Sequence, residues 1–402
     1  MCADHAWLSA SDAARALRVS RATLYAYVSR GFIRSQPAPG STRERRYARD
    51  DVERLRRRTE ERRDPDKAAA HALQWGMPIL ESSIAFIDGT NLYYRGHDAV
   101  ALSRSRSLAD VASLMWTGTF DAALPARPLK FAPASGRLSR DLSFVARAQS
   151  MLAREAASDS LALDLRADAV ALSGWRILHV LTAAAVRPHA TAATIDMTLA
   201  REWGVTARGV DVLRSALILC ADHELNVSSF TARCVASAGS HPYAVVIAGL
   251  SALEGTKHGG VSARVESMLE SVRRARHLPT ALADRLRRGE RIDGFGHPLY
   301  RNGDPRATAL LDMLRERYAS SRELQFTRQF ARDAEPIARE KPNIDFALAA
   351  TARVLRLPAG SPLTLFAIGR TIGWIGHAIE QYATDQLIRP RAKYVGPVPI
   401  RT

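Results

Sequence analysis

Residues 293–306 of the chain read DGFGHPLYRNGDPR, a short and strongly bent stretch that carries one imidazole and two guanidinium groups of interest. Gly, Asn, Asp and Pro favour turns, so the stretch predicts a loop. A nucleotide-binding loop is excluded, because the two closely spaced glycines lack a third at the required spacing and no apolar strand precedes them. A plain surface loop and a loop that presents His297, Arg301 and Arg306 to a ligand both fit this stretch.

Five further segments place polar side chains where an apolar core does not need them. They are CADHELNVSSFTAR (220–233), GTKHGGVSARV (255–265), KPNIDFALAATARVL (341–355), FAIGRTIGWIGHAIEQY (366–382) and LIRPRAKYVGP (387–397). Each has a structural alternative, since a histidine beside acidic residues is often hydrogen-bonded for structural reasons and the helix dipole favours aspartate in a first turn. In the segment 341–355, Asn343 is the predicted N-cap of a helix that carries Asp345 in its first turn.

The segment 366–382 predicts a helix with one polar face. The residues that recur there at i, i+4, i+7 and i+11 are Arg370, Trp374, His377 and Gln381. Such a face can pack against other helices. An arginine on it nevertheless requires an anion, which is either a protein carboxylate or a ligand.

Composition sets the class of protein. With 402 residues, 47% of them hydrophobic and 24% charged, the chain is long enough for two or three globular domains. Its three cysteines form no C-x-x-C pair, so we expect no zinc site, no disulfide framework and a cytoplasmic location. We expect neither a signal peptide nor a membrane segment, because the apolar run at 234–253 contains His, Pro and Gly and predicts buried helices.

Positive charge is concentrated at the N-terminus. The first 67 residues carry 16 Lys+Arg against 10 Asp+Glu, a net +6 of the chain's +16. This density predicts a basic domain at 1–67, a linker at 68–77 and a body at 78–402.

Two short helices are predicted in WLSASDAARALRVSRATLYAYVSRG, residues 7–31, each preceded by a serine N-cap. A turn-rich, arginine-bearing segment follows and suits a two-stranded wing. This order resembles the winged helix-turn-helix domains of the MerR and excisionase-like families, which implies DNA binding. Arg21 and Thr23 of the second helix would then read bases, and Arg43 and Arg45 of the wing would contact phosphates. The alternative is a small domain that uses the same fold for protein contacts.

The body is predicted to be helical, because apolar residues recur at helical spacing between turn signals. The exception is ESSIAFIDGTNLYYRGHD, residues 81–98, which predicts a β-hairpin with Asp88 and Gly89 at its bend. Period-2 alternation is otherwise rare.

Taken in order, the hairpin and the six polar segments resemble the citrate synthase family over residues 78–98 and 205–398. The resemblance implies a mainly α fold with a large domain and a small domain, the latter at roughly 262–366 and the former making up the rest of the body. It also implies a homodimer or a dimer-based oligomer that closes around its substrates.

The resemblance further implies a reaction in which an acyl-CoA methyl carbon condenses with the ketone of oxaloacetate and the thioester is hydrolysed, with no metal and no separate cofactor. Asp345 would be the carbon base. His258 would donate a hydrogen bond to the thioester oxygen, and His297 would polarise the ketone and protonate the product. Because a helix-start position lowers a carboxyl pKa, burial must offset that effect for Asp345. Pro298 departs from the family, which commonly has arginine there, and removes a donor.

Anion binding accounts for the remaining predicted site residues. Oxaloacetate is a dianion, which planar guanidinium groups bind in a bidentate way. The residues that match carboxylate-binding positions are His223, Arg306 and Arg370. Arg389 matches an arginine contributed across the dimer interface, and Arg301 lies where the family can contact a CoA phosphate.

The predicted function is therefore a citrate-synthase-type acyltransferase that uses acetyl-CoA and oxaloacetate. 2-Methylcitrate synthase is the near alternative, since propionyl-CoA adds only one methylene. An alternative of another class is a DNA-binding transcription regulator whose synthase-like body senses a metabolite. Asp345 separates these classes, because a sensor needs the arginines but has no use for a carbon base.

Overall fold

The computed structural model describes residues 7–38, 44–53, 55–56, 80–120, 142–186, 194–274 and 277–397. The chain divides into two compact units, Met1–Glu81 and Ser82–Thr402, termed the module and the body below. The predicted linker at 68–77 lies outside the described residues. The predicted division of the body into a large and a small domain stays a prediction.

The described part of the module contains β1 (Trp7–Leu8), α1 (Ala10–Leu17), α2 (Arg21–Ser29), β2 (Ser35–Pro37) and β3 (Arg45–Ala48). Ser9 and Ser20 each accept a hydrogen bond from the backbone N–H three residues on, and so cap α1 and α2 as predicted. β3 pairs antiparallel with β2 and also with β1. The predicted two-stranded wing is thus part of a three-stranded sheet.

The module has its own small core. Arg18 ends α1 with a φ of 54°, a left-handed conformation that turns the chain toward α2. Leu24 of α2 and Tyr47 of β3 are buried against apolar residues of α1. The buried carboxylate of Asp51 accepts hydrogen bonds from both the backbone and the guanidinium of Arg34, which ties the segment after α2 to the segment that follows β3.

The body begins with three short antiparallel strands, β4 (Ala85–Ile87), β5 (Leu92–Tyr94) and β6 (His97–Asp98). β4 and β5 form the predicted hairpin. The helices that follow are α3 (Ala99–Ser105), α4 (Leu108–Thr117), α5 (Phe144–Ser158), α6 (Ala167–Val186), α7 (Ile195–Glu202), α8 (Ala207–Leu219), α9 (Val227–Ser237), α10 (Pro242–Leu253), α11 (Gly260–Arg273), α12 (Leu278–Arg287), α13 (Pro305–Tyr318), α14 (Arg322–Ala338), α15 (Ile344–Leu355) and α16 (Ser361–Thr384). The predicted mainly α class is confirmed.

The apolar run at 234–253 lies in α9 and α10, two helices of the body's core. Among the described helices only α6 is long and apolar enough to cross a membrane, and 72% of its apolar window is buried inside the protein. That degree of burial is typical of a core helix.

α16 passes through the centre of the body and is buried over most of its length. A Cβ atom at Gly369 would lie 2.3 Å from the carbonyl oxygen of Leu217, and one at Gly373 would lie 2.4 Å from that of Ala221. Only glycine permits this approach. The close contact brings the middle of α16 against the end of α8, which is where the polar segments meet.

Candidate active site

Six predicted site residues are delivered to one region by the ends of helices and the middle of α16. His223 follows α8, His258 precedes α11, and His297 lies in the loop before α13. The three others are Arg306 in the first turn of α13, Asp345 in the first turn of α15 and Arg370 within α16. The loop 293–306 therefore brings His297 and Arg306 to the same region as side chains from other helices.

Two histidines and a tyrosine form the centre of this region. The ring centroids of His223 and His297 lie 4.6 Å apart, and Nε2 of His223 lies 2.9 Å from the hydroxyl of Tyr300. Burial lowers the pKa of His223 well below its ordinary value, and burial together with the Arg306 cation lowers the pKa of His297 to about 4. Both imidazoles are therefore neutral at neutral pH.

The tautomer of His297 follows from the bend around Pro298. The backbone N–H of Leu299 donates to Nδ1 of His297 at 3.2 Å. A neutral ring whose Nδ1 accepts a hydrogen bond carries its proton on Nε2. His297 thus carries its N–H donor on Nε2. Pro298, which departs from the family pattern, lies within the turn that brings the Leu299 N–H to Nδ1.

His258 is held by a serine. Its Nε2 lies 2.9 Å from the hydroxyl oxygen of Ser228, which also lies 2.8 Å from Oδ1 of Asn226 and accepts from Nε1 of Trp374. The hydroxyl has one proton, so it donates either to Nε2 of His258 or to Asn226. Burial, assisted by the nearby cation of Arg370, lowers the pKa of His258 to about 4. The ring is neutral and its plane is fixed before any substrate arrives.

Asp345 begins α15 under the cap of Asn343, whose side chain accepts from the backbone N–H of Asp345 at 3.1 Å. The hydroxyl of Ser262 donates to the Asp345 carboxylate at 2.5 Å. Burial raises the pKa of Asp345 and outweighs the opposite effects of Ser262 and the Arg306 cation. This is the direction that a base acting on carbon requires.

The two buried arginines differ in their partners. Arg306 is 2% exposed and forms a bidentate pair with Asp304, at 2.9 Å and 2.8 Å. Asp304 also accepts from the backbone N–H of Ile344 at 3.0 Å, so one carboxylate holds both Arg306 and the start of α15. The pair leaves the outer edge of the Arg306 guanidinium for another anion.

Arg370 is 0% exposed, and its Nε donates to the carbonyl oxygen of Cys220 at 2.8 Å. Among the described residues its Nη1 and Nη2 have no hydrogen-bond partner. The nearby carboxylate of Asp222 is occupied by His377 and by the backbone of Glu224. Burial accordingly lowers the pKa of Arg370. A buried cation with unsatisfied donors is costly, and a bound anion removes that cost.

Comparison with known proteins gives the family of the chain. Residues 72–391 match the family described as citrate synthase, C-terminal domain. The chain belongs to the citrate synthase family. Residues 7–59 match a helix-turn-helix domain, as the analysis of the module predicted.

Curated relatives and solved structures give the same result. The chain is 31% identical to a citrate synthase of Haloferax volcanii and 30% identical to a putative citrate synthase 2 of Mycobacterium tuberculosis, and each alignment covers 80% of this chain and 94% of the relative. Citrate synthase 2 of Bacillus subtilis is 37% identical over 191 residues, which span 51% of that protein. The citrate synthase structure from Thermotoga maritima has a TM-score of 0.69 at 27% identity and covers 81% of this chain and 96% of its own.

Two predicted residues of the body are not brought to the cluster within this chain. Arg301 is exposed, and its backbone N–H donates to the carbonyl oxygen of Gly89 at 2.9 Å. Arg389 is exposed in the extended segment that follows α16. Their roles stay predictions.

Four residues that the sequence analysis did not single out take part in the cluster. They are Ser228, Ser262, Asp304 and Tyr300, each within hydrogen-bond distance of a predicted site residue. Asp304 and Tyr300 belong to the loop 293–306, where their spacing from His297 and Arg306 was the available signal. The serines have no such signal, because they reach the site only through helix packing.

In the module, Arg21 is exposed, and its Nη2 lies 2.6 Å from the hydroxyl of Ser11. Thr23 is partly buried, with its hydroxyl 2.9 Å from that of Ser20. Arg45 is exposed, and its Nε donates to the hydroxyl of Ser35 at 3.0 Å. Arg43 lies outside the described residues.

Tyr25, which the sequence analysis did not select, is 53% exposed on α2.

Proposed function

We propose that the chain is a citrate-synthase-type acyltransferase that condenses acetyl-CoA with oxaloacetate to give citrate and CoA. The observation that carries this proposal is Arg370, a fully buried guanidinium whose two Nη groups have no partner among the described residues. The Arg370 cation contributes to lowering the pKa values of His223, His258 and His297. A small, multiply charged anion surrounded by neutral hydrogen-bond donors is what such a pocket binds.

Oxaloacetate supplies two carboxylates and a ketone. Arg370 would bind one carboxylate and the outer edge of Arg306 the other, since planar guanidinium groups suit bidentate contacts. Nε2–H of His297 would donate to the ketone oxygen and His223 would add a further donor. This binding polarises the ketone carbon before the second substrate reacts.

The carbon–carbon bond would form in one acid–base sequence. Asp345 removes a proton from the methyl carbon of acetyl-CoA while Nδ1–H of His258, whose Nε2 would then accept from the Ser228 hydroxyl, donates a hydrogen bond to the thioester oxygen and stabilises the resulting enolate. The enolate carbon attacks the ketone carbon of oxaloacetate, and the new alkoxide takes the proton from Nε2 of His297. Water then cleaves the thioester of citryl-CoA, so that acetyl-CoA, oxaloacetate and water become citrate and CoA. The proposed reaction uses no metal ion and no separate cofactor.

The CoA phosphates would lie near Arg301. A cleft of about 830 Å³ is lined there by Arg301, Arg332, Arg339 and Lys341, together with two glutamates. Four cations around one cleft suit the phosphates of the nucleotide end of CoA. Acetyl-CoA and propionyl-CoA differ by one methylene. The shape of the pocket near His258 would set the preference between them.

The direct test measures free thiol released from acetyl-CoA and, in parallel, from propionyl-CoA, each with and without oxaloacetate. We expect oxaloacetate-dependent release with acetyl-CoA as the better substrate. Faster release from propionyl-CoA would assign the chain to 2-methylcitrate formation. No release from either, with oxaloacetate still bound, would favour a sensor.

The segment with Arg389 would complete the site of a second subunit in a homodimer. Mixing inactive Asp345→Asn chains with inactive Arg389→Ala chains should then restore activity, because a hybrid dimer regains one intact site. If verified subunit exchange restored nothing, each site would be built from one chain.

For the module we propose DNA binding in a cytoplasmic protein. The helix-turn-helix match and the exposed side chains Arg21 and Tyr25 on α2 support this second function. Binding of a labelled genomic fragment library at increasing salt tests it, and affinity that does not depend on Arg21 would contradict it.

A further inference from the structure

A second cleft of the body, of about 1080 Å³, is lined by none of the predicted site residues. Its walls come from α11, the C-terminal ends of α13 and α15, the first turn of α14 and the start of α8. Arg306 lies at one end of α13 and Tyr318, which lines the cleft, lies at the other, about 18 Å away along a helix of this length. This far cleft is therefore separate from the proposed catalytic cluster, which consists of His223, His258, His297, Arg306, Asp345 and Arg370.

The carboxylates of the far cleft are already occupied. Glu323 accepts from Arg353 at 2.9 Å and from Arg273 at 3.3 Å. Glu270 accepts from Arg353 at 3.1 Å and also pairs with Arg274. The third carboxylate of the cleft is Glu266, which accepts from the backbone N–H of Gly360, and burial raises its pKa.

Three further arginines line the same cleft, namely Arg208, Arg322 and Arg356. Within the described part of the chain, no carboxylate forms a hydrogen bond or an ion pair with their side chains. The Arg208 guanidinium lies over the ring of Tyr318 at 5.4 Å, which holds it at the wall. Three permanent cations on one concave surface repel one another, and a bound anion relieves that repulsion.

Other donors face the same space. Ser267, Ser320 and Ser321 line the cleft with hydroxyl groups. Ser321 is also the N-cap of α14, so the positive end of a seventeen-residue helix opens at this wall. Arginine, serine hydroxyls and a helix N-terminus are the groups that bind phosphate oxygens.

We propose that the far cleft binds a small molecule with two or more phosphate groups. Its volume suits a ligand of nucleotide size. Three separate guanidinium groups suit a ligand with several phosphates better than a ligand with one phosphate. α11, α13 and α15 extend from this cleft to Ser262, Arg306 and Asp345 in the catalytic cluster, so an occupied cleft contacts three helices that carry catalytic groups.

The test titrates full-length protein with inorganic tripolyphosphate at fixed ionic strength and measures heat of binding. Arg322→Gln and Arg356→Gln should each weaken binding about tenfold, because each removes a charged hydrogen-bond donor. Arg328→Gln is the matched control, an exposed arginine on α14 that does not line the cleft. Arg301→Gln is a second control, for the other basic cleft.

One more variant separates a built site from general attraction to a basic surface. Glu323→Gln releases Arg353 and Arg273 from their partner, so it should tighten binding by about threefold if the far cleft is the site. Circular dichroism and the melting temperature confirm that each variant is folded. The proposal is overturned if tripolyphosphate does not bind, if Arg322→Gln, Arg356→Gln and Glu323→Gln all bind it as the wild type does, or if only Arg301→Gln weakens binding.

Discussion

The catalytic cluster of the body and the exposed face of α2 in the module use similar side chains in opposite surroundings. In the cluster, Arg306 and Arg370 are 2% and 0% exposed, and the histidines between them are neutral. On α2, Arg21 and Tyr25 are exposed to solvent.

The comparison teaches what each region requires of its ligand. A buried donor exerts a strong electrostatic effect and is oriented in advance, but it is costly until the ligand arrives. An exposed arginine costs little and gains affinity mainly by displacing counterions from a polyanion such as DNA. Substitutions in the cluster should therefore change rate and stability strongly, and substitutions on the module should change affinity moderately.

The largest effect is expected at Asp345. Asp345→Asn removes the proposed carbon base while keeping the shape of the side chain, so kcat should fall by roughly 10²–10⁴-fold. Thiol release with saturating acetyl-CoA and oxaloacetate measures this. The matched control is Asp312→Asn on the surface of α13, which should retain wild-type kcat. Near-normal turnover by Asp345→Asn would show that another group removes the proton.

The two buried arginines should respond differently to the same substitution. Arg306→Leu leaves the Asp304 carboxylate buried without its partner, so the free energy of unfolding should fall by about 3–5 kcal/mol. Arg370→Leu removes a cation whose Nη groups have no partner among the described residues. It should leave the stability of the unliganded protein unchanged or raise it by about 1 kcal/mol.

Urea unfolding of both variants, with and without oxaloacetate, measures the difference. Oxaloacetate should stabilise the wild type and neither variant. Equal destabilisation by the two substitutions would mean that Arg370 has a structural anion partner. The contrast between the paired Arg306 and Arg370 would then be wrong.

The pH dependence of stability should distinguish the two regions as well. His258 and His297 have pKa values of about 4 against an ordinary 6.5, so the unfolded chain binds protons in this window and the folded body does not. The free energy of unfolding of the body should therefore fall as the pH decreases from 6.5 to 4, by at most about 1.4 kcal/mol per pH unit for each histidine. Asp345, with a raised pKa, opposes this fall.

His258→Gln should reduce that slope, because it removes one proton-binding group from the unfolded chain. His277→Gln, at an exposed position before α12, is the control and should leave the slope unchanged. Residues 7–59, which match the helix-turn-helix domain, contain no histidine, so DNA affinity should stay constant over the same range. A wild-type slope in His258→Gln would contradict a lowered pKa for this ring.

The sequence predicted which segments meet but not how their side chains pair. Helix caps and apolar spacing are local signals, so Asn343 and the start of α15 were predictable, as was the polar face of α16. The pairing of Arg306 with Asp304, and the absence of such a pairing for Arg370 among the described residues, depend on distances set by tertiary packing. Ser228 and Ser262 reach the cluster in the same way, and common serines in helical segments carry no signal of their own.

The smallest effect is expected from the exposed arginines of the module. Arg45→Ala should lower DNA affinity by about tenfold for all sequences alike and reduce the slope of log affinity against log salt by about 1, because a phosphate contact is lost. Arg21→Ala should instead change the preference among sequences, since the start of the second helix faces base edges in this fold. Arg328→Ala in the body is the control of equal charge and should alter neither. All three variants should release thiol at the wild-type rate, because none of these residues lies in the catalytic cluster. If Arg45→Ala changed the rate of thiol release as strongly as it changed DNA affinity, the two regions would not act as separate sites. The contrast between a buried, preorganised cluster and an exposed binding face would then not describe this protein.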